Sequence, residues 1–133
     1  MAARDDGAAV LSAVVLSHDI PNQLTLLLAG GRQLLVPLLD APPQTEVRVR
    51  VPAREVILAV REPAGVSVHN VVSGTVGRIV PDPSRHASLV EVGLDDGGLL
   101  ARVTPDAVSR LELATGKPVL ALIKSMAIEV LVN

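Results

Sequence analysis

Two stretches of the chain hold polar side chains that could act together. Residues 66–76 read VSVHNVVSGTV, with Ser67, His69 and Asn70 close together just before an apolar run. Near the other end, VLALIKSMAIEVLV places Lys124 and Ser125 inside an otherwise apolar segment. A lysine there is costly unless its ammonium reaches water or an anion. Thr104 stands at another boundary, just before PDAVSR. All six residues can donate hydrogen bonds, and Lys124 adds a fixed positive charge. A small tetrahedral oxyanion needs such a set, because its oxygens accept and cannot donate. Each charge-assisted bond contributes roughly 1.5–3 kcal/mol, so four or five make a useful site after desolvation. Phosphate keeps a proton near neutral pH and would point that donor at another donor, whereas sulfate passes this test and must be rejected by size. The plain alternative is a strand-end lysine whose ammonium reaches solvent.

Other chemistry finds little support. There is no cysteine, which excludes disulfides, thiolate metal sites and cysteine nucleophiles. His18, His69 and His86 are scattered singly, a poor spacing for zinc, so no metal is expected except within an oxyanion. TGKP at 115–118 departs from a phosphate loop: Leu111 stands where the first Gly belongs, and Pro118 where the Ser or Thr does. No nucleophile elbow is present and nothing points to an enzyme or an organic cofactor. The net charge of −2 offers no field to nucleic acid, and the absence of Phe, Trp and Tyr removes the usual platforms for stacking bases. Sugar binding is disfavoured for the same want of rings. No apolar run is long enough to span a membrane as a helix.

The elements that must position the six residues are short apolar runs at strand spacing, as in a small barrel or sandwich. The first set is Ala9–His18, Leu24–Gly30, Arg32–Leu38, Glu46–Pro52 and Glu55–Val60. Gly30-Gly31 makes a tight hairpin. The alternation of VRVRV sends Val47, Val49 and Val51 inward and Arg48 and Arg50 outward. The second set is Val71–Val80, Ala87–Leu94, Gly98–Val103, Pro118–Lys124 and Ala127–Val132, with Asp95-Asp96-Gly97-Gly98 as a hairpin turn. A helix is expected over Pro105–Leu113, with Thr104 as N-cap, Pro105 in the first turn and Gly116 as a later stop.

The two sets look like copies. VLSAVV at 10–15 matches VVSGTV at 71–76, and residues 47–60 match 119–132 without a gap. The numbering offset grows from 61 to 72, about the length of the helical segment, which the first half lacks. Five strands with a helix between the third and fourth follow the order of an OB-fold. The expected fold is therefore all-β: two tandem OB-like barrels, a trimmed one over residues 9–62 and a complete one over 66–133, after a linker or tail at 1–8. Pro52 and Ala53 occupy the positions of Lys124 and Ser125 and bring no side-chain donor.

The stretches VSVHNVVSGTVGRIV and ARVTPDAVSRLELATGKPVLALIKSMAIEVLV resemble the molybdate-binding Mop domain, also called molbindin or TOBE. GGRQLLVPL and VRVRVPAREVILAV are similar to the C-terminal regulatory region of the ATPase subunit of molybdate ABC transporters. The resemblance implies oxyanion contacts from Ser67, His69, Asn70, Thr104, Lys124 and Ser125, with molybdate or tungstate as ligand. It further implies a homodimer, in which the opening motif of one subunit meets the Lys-Ser pair of the other. Its implied partners are a nucleotide-binding domain on the same parent chain and the transporter's membrane subunits, at the cytoplasmic face of the membrane. His69 stands where the family usually has Arg; it is shorter and lacks the bidentate fork. There is no Walker motif in these residues, so the chain reads as an excised domain beginning in a linker, MAARDD. Rival readings are a purely structural dimerisation module, a regulatory domain for another anion or a sugar, and an oligomeric molybdate store.

Overall fold

A computed structural model describes residues 7–132; the expected MAARDD linker lies outside the described residues. Ten strands form in chain order: β1 Ala8–Asp19, β2 Leu24–Ala29, β3 Arg32–Pro37, β4 Glu46–Pro52, β5 Ile57–Ala59, β6 Asn70–Asp82, β7 Ala87–Gly93, β8 Gly98–Val103, β9 Pro118–Ile123 and β10 Glu129–Val132. The fold is all-β, with one short helix, α1 at Pro105–Arg110. Period-two burial drives the strands. Val47, Val49 and Val51 are buried, while Arg48 is exposed and Arg50 reaches outward to an ion pair with Glu129.

Two five-stranded sheets result, ordered β10-β4-β1-β2-β3 and β5-β9-β6-β7-β8. The closing strands are exchanged. β5, from the first half, pairs with β9 of the second, Leu58 opposite Ala121. β10, from the second half, pairs with β4 of the first, Val130 opposite Val49. The stretches expected to close their own units, Glu55–Val60 and Ala127–Val132, therefore close each other's. Val56, Leu58 and Val60 correspond to Ile128, Val130 and Val132, so the two strands share their alternate apolar positions. Val49, Val51, Val90, Ala121 and Ile123, drawn from both halves, belong to one continuous core.

The hairpin tips also meet. Gly30 and Gly31 hold positive φ of 59° and 80°, which suits a two-residue hairpin. A Cβ on Gly31 would come within 2.7 Å of the Asp95 side chain, so this turn also has no room for one. Arg32 secures the contact with an ion pair to Asp95 at 2.7 Å and a bond from Nε to the Ser73 carbonyl at 3.1 Å.

Helix α1 ends three residues before the expected Leu113. Thr104 caps its start, Oγ1 accepting from the Ala107 N–H at 3.1 Å. Its end is set by Glu112, which takes a left-handed φ of 53° ahead of Gly116. The helix also explains only part of the growth in offset. Leu28 and Gly93 hold equivalent places opposite Val14 and Thr75, so the offset is already 65 at the second strands.

Thr25 is fully buried, and its hydroxyl oxygen accepts from the Leu39 N–H at 2.9 Å and lies 2.8 Å from His18 Nδ1. His18 Nε2 donates to the Ala41 carbonyl at 2.6 Å, so the Thr25 O–H has Nδ1 as its acceptor when the ring is neutral. Replacing Thr25 with Val leaves the Leu39 N–H and one ring nitrogen without partners. Chemical denaturation should show a loss of about 1–3 kcal/mol.

Asp82 is held below the ordinary carboxylate range by hydrogen bonds from Ser84 and then Arg102, and Glu91 by hydrogen bonds from Arg78. A depressed folded pKa stabilises the fold above the unfolded carboxylate's value, and this contribution is lost as pH falls through the lower folded value. Thermal melts should therefore weaken below about pH 4. Asp82→Asn should lower the melting point at neutral pH and flatten the acid side of the profile.

Candidate oxyanion site

The six candidate residues divide into a cluster of five and an outlier. Asn70 begins β6 and pairs with Ile123, the last residue of β9. The next chain positions beyond that pair are His69, just before β6, and Lys124, just after β9. The first half shows this next step in its own ladder, where Ala8 pairs with Pro52. Ser67 lies two residues further back, in the exposed segment that leads from β5 into β6. Lys124 and Ser125 begin the crossing from β9 to β10, a single 3-10 turn at Ser125–Ala127 with Lys124 as its N-cap. The opening stretch and the Lys-Ser pair therefore meet within one chain, whereas the resemblance implies a meeting across two subunits.

Lys124 follows β9 rather than lying inside it, which resolves its apparent cost: the side chain is exposed. Among the described residues its ammonium has neither an ion pair nor a hydrogen bond. Six of the ten arginines are paired with carboxylates. The other lysine, Lys117, donates to the carbonyls of Leu111 and Glu112 at 2.7 and 3.3 Å and so caps the end of α1. Ser125 is buried beside Lys124, while Ser67 and His69 are exposed. Apolar side chains rim the cluster: Val66 is half exposed and Met126 is 86% exposed.

Asn70 behaves differently from its neighbours. Its side chain is 3% exposed and faces the first sheet, where Oδ1 accepts from the Leu35 N–H at 2.7 Å and Nδ2 donates to the Leu35 carbonyl at 2.9 Å. One Nδ2 hydrogen is left over. Sequence reasoning had no sign of Leu35, because nothing in a run of Leu and Val marks which backbone unit a distant amide will meet.

Thr104 is the outlier. It follows Val103, which pairs with Ser88, and Ser88 pairs with Pro81 on β6. That is the far end of β6 from Asn70, a path of roughly 35 Å along the strand. The described start of β1 approaches β8, since a Cβ on Gly7 would lie 3.7 Å from Arg102 Nη2. Thr104 is exposed, and although its oxygen caps α1, its O–H hydrogen is still available to donate.

The cluster therefore offers hydroxyls, an imidazole and one unneutralised ammonium beside each other, and no carboxylate among its members. The equivalent crossing in the first half, Pro52 to Ala53, offers apolar side chains. Two strand-exchanged OB-type units with one donor-rich crossing define a class of tandem β-barrel module. Residues 66–130 match the TOBE domain.

Relatives extend the likeness beyond those residues. The chain is 42% identical over 132 residues to the molybdenum import ATP-binding protein ModC of Granulibacter bethesdensis, covering 95% of this chain and 36% of that protein. It is 37% identical over 128 residues to its namesake in Mesorhizobium japonicum, covering 95% and 34%. The chain thus spans about a third of the length of these relatives. A crystal structure of the cytoplasmic molybdate-binding protein ModG with molybdate bound superposes with a TM-score of 0.76 at 22% identity, over all of both chains. That likeness establishes the tandem OB-type fold.

The two lysines should separate in stability measurements. Lys117→Ala leaves two helix-end carbonyls without their cation and should cost about 1 kcal/mol, whereas Lys124→Ala should stay within about 0.5 kcal/mol of the parent. Urea denaturation of both variants checks this.

Proposed function

We propose that the chain is a molybdate- or tungstate-responsive regulatory module of a molybdate-import ATPase, and that it works as a homodimer. The observation that carries this reading is the exposed, unpaired Lys124 next to Ser125 and His69, at the crossing whose twin holds Pro52 and Ala53. A lone cation among donors suits a dianion whose oxygens only accept. The names of the relatives support molybdate as the dianion, and the likeness to ModC supports this setting. In that setting the rest of a parent chain carries the nucleotide-binding domain, and the module works at the cytoplasmic face beside the transporter's membrane subunits. Among the described residues no helix is long and apolar enough to cross a membrane.

Thr104 gives the reason for two copies. It cannot reach the five clustered residues of its own chain, but a second copy can bring its Thr104 over their exposed rim. Met126 and Val66 provide apolar contact around that seal. Molybdate then binds Ser67, His69, Lys124 and Ser125 of one copy and Thr104 of the other, with the spare Nδ2 hydrogen of Asn70 beneath. Anion binding would favour one relative arrangement of two regulatory modules, and so bias their ATPases by as much as it prefers that arrangement.

Calorimetry with molybdate, tungstate, sulfate and phosphate tests the ligand. The first two should bind, and Lys124→Ala should weaken them by roughly tenfold to a hundredfold, the worth of a charge-assisted bond. Absence of binding by both at millimolar concentration would sink the reading. Mixing tests the shared site: Lys124→Ala and Thr104→Val chains, each weak alone, should regain one full-strength site per mixed dimer. No recovery on mixing would rule out a site shared between copies, and full-strength binding by Thr104→Val alone would place Thr104 outside it.

A further inference from the structure

We infer that Asn70 is a positioning residue which couples the oxyanion cluster to the first barrel, so that an anion bound at Lys124 tightens the seam between the two sheets. The inference rests on the anion-binding reading above and adds how occupancy would be transmitted.

The geometry behind it is the edge of the first sheet. β3 is an edge strand there, so one side of its backbone has no strand partner. An exposed edge invites foreign pairing and is normally covered. The Asn70 amide covers it in the manner of a strand residue, offering Oδ1 to the Leu35 N–H and Nδ2–H to the Leu35 carbonyl. Asn70 itself belongs to the second sheet through its pairing with Ile123. One side chain thus clasps the sheets together beside His69.

The second tie is covalent. Lys124 and Ser125 are the start of the chain segment that leaves β9 in the second sheet and becomes β10 in the first. The turn they begin ends with the Ile128 N–H donating to the Ser125 carbonyl at 3.3 Å, and Glu129 next pairs with Arg50 on β4. An anion bridging His69 and Lys124 would draw together the start of β6 and this crossing. Both are anchored in the first sheet, through Leu35 and through β4. The counterpart crossing lacks the clasp, since Ala9, which occupies Asn70's place, has no side-chain amide.

Hydrogen exchange of the 133-residue chain, with and without sodium molybdate at a saturating level fixed by calorimetry, reads this coupling. Expected is slower exchange at 66–70 and 124–126, together with about tenfold slowing at the Leu35 amide and in the β4–β10 pairs. Binding with slowing confined to 66–70 and 124–126 would overturn the inference alone. No binding would remove both it and the anion reading. In Asn70→Ala, at a molybdate level raised until calorimetry shows that variant saturated, slowing at 124–126 should persist while slowing at Leu35 disappears. Persistence at Leu35 would show that Asn70 transmits nothing. Should that variant fail to fold, Asn70→Asp, which keeps only the acceptor half of the clasp, should reduce slowing at Leu35 and spare 124–126. Equal slowing at both in that variant would likewise count against the proposal.

Discussion

The exchange of closing strands governs this molecule. β5 and β10 each leave the half that encodes them and complete the other half's sheet, so each sheet takes four strands from one half and one from the other. Two crossings follow of necessity, one through Pro52 and Ala53 and the other through Lys124 and Ser125. Each crossing emerges from the end of a central strand and passes over the seam between sheets. A polar pair placed there borders both barrels at once, which a pair in the middle of a strand could not do.

Duplication makes the two crossings comparable, and their difference is chemical rather than architectural. The backbone steps are equivalent: Ala9 opposite Val51 in one half and Asn70 opposite Ile123 in the other. Around the first crossing the side chains are Ala, Pro and Ala, and around the second they are His, Asn, Lys and Ser. Elsewhere the arginines are largely committed to carboxylates, on the surface and between halves. Against that neutralised background the ammonium of Lys124 is conspicuous, while Lys117 spends its charge on the end of α1. The same residue type thus serves as a structural cap in one place and as an open donor in another.

Much of this was legible beforehand because it rests on local chemistry. Strand positions followed from alternation and from Gly and Pro punctuation, and the start of α1 from Thr104 and Pro105. The contrast between Lys124-Ser125 and Pro52-Ala53 was visible in the repeat itself. What escaped were relations between remote backbone units. The helix stopped early because Glu112 accepted a left-handed conformation, which no residue preference announces. Asn70 looked like one more donor for a ligand, whereas its amide is mostly occupied by Leu35.

The sequence alone determined the all-β character, the duplication, the donor-only chemistry and the half that carries it, since these depend on residue type and spacing. Tertiary structure decided which sheet each closing strand joins, because the two strands share their alternate apolar positions and pairing between distant segments is not written in either. It also decided that five donors gather at one crossing and that Thr104 stands apart from them. Proximity in a β-fold is set by which strands pair, and pairing between distant segments leaves no mark in either segment.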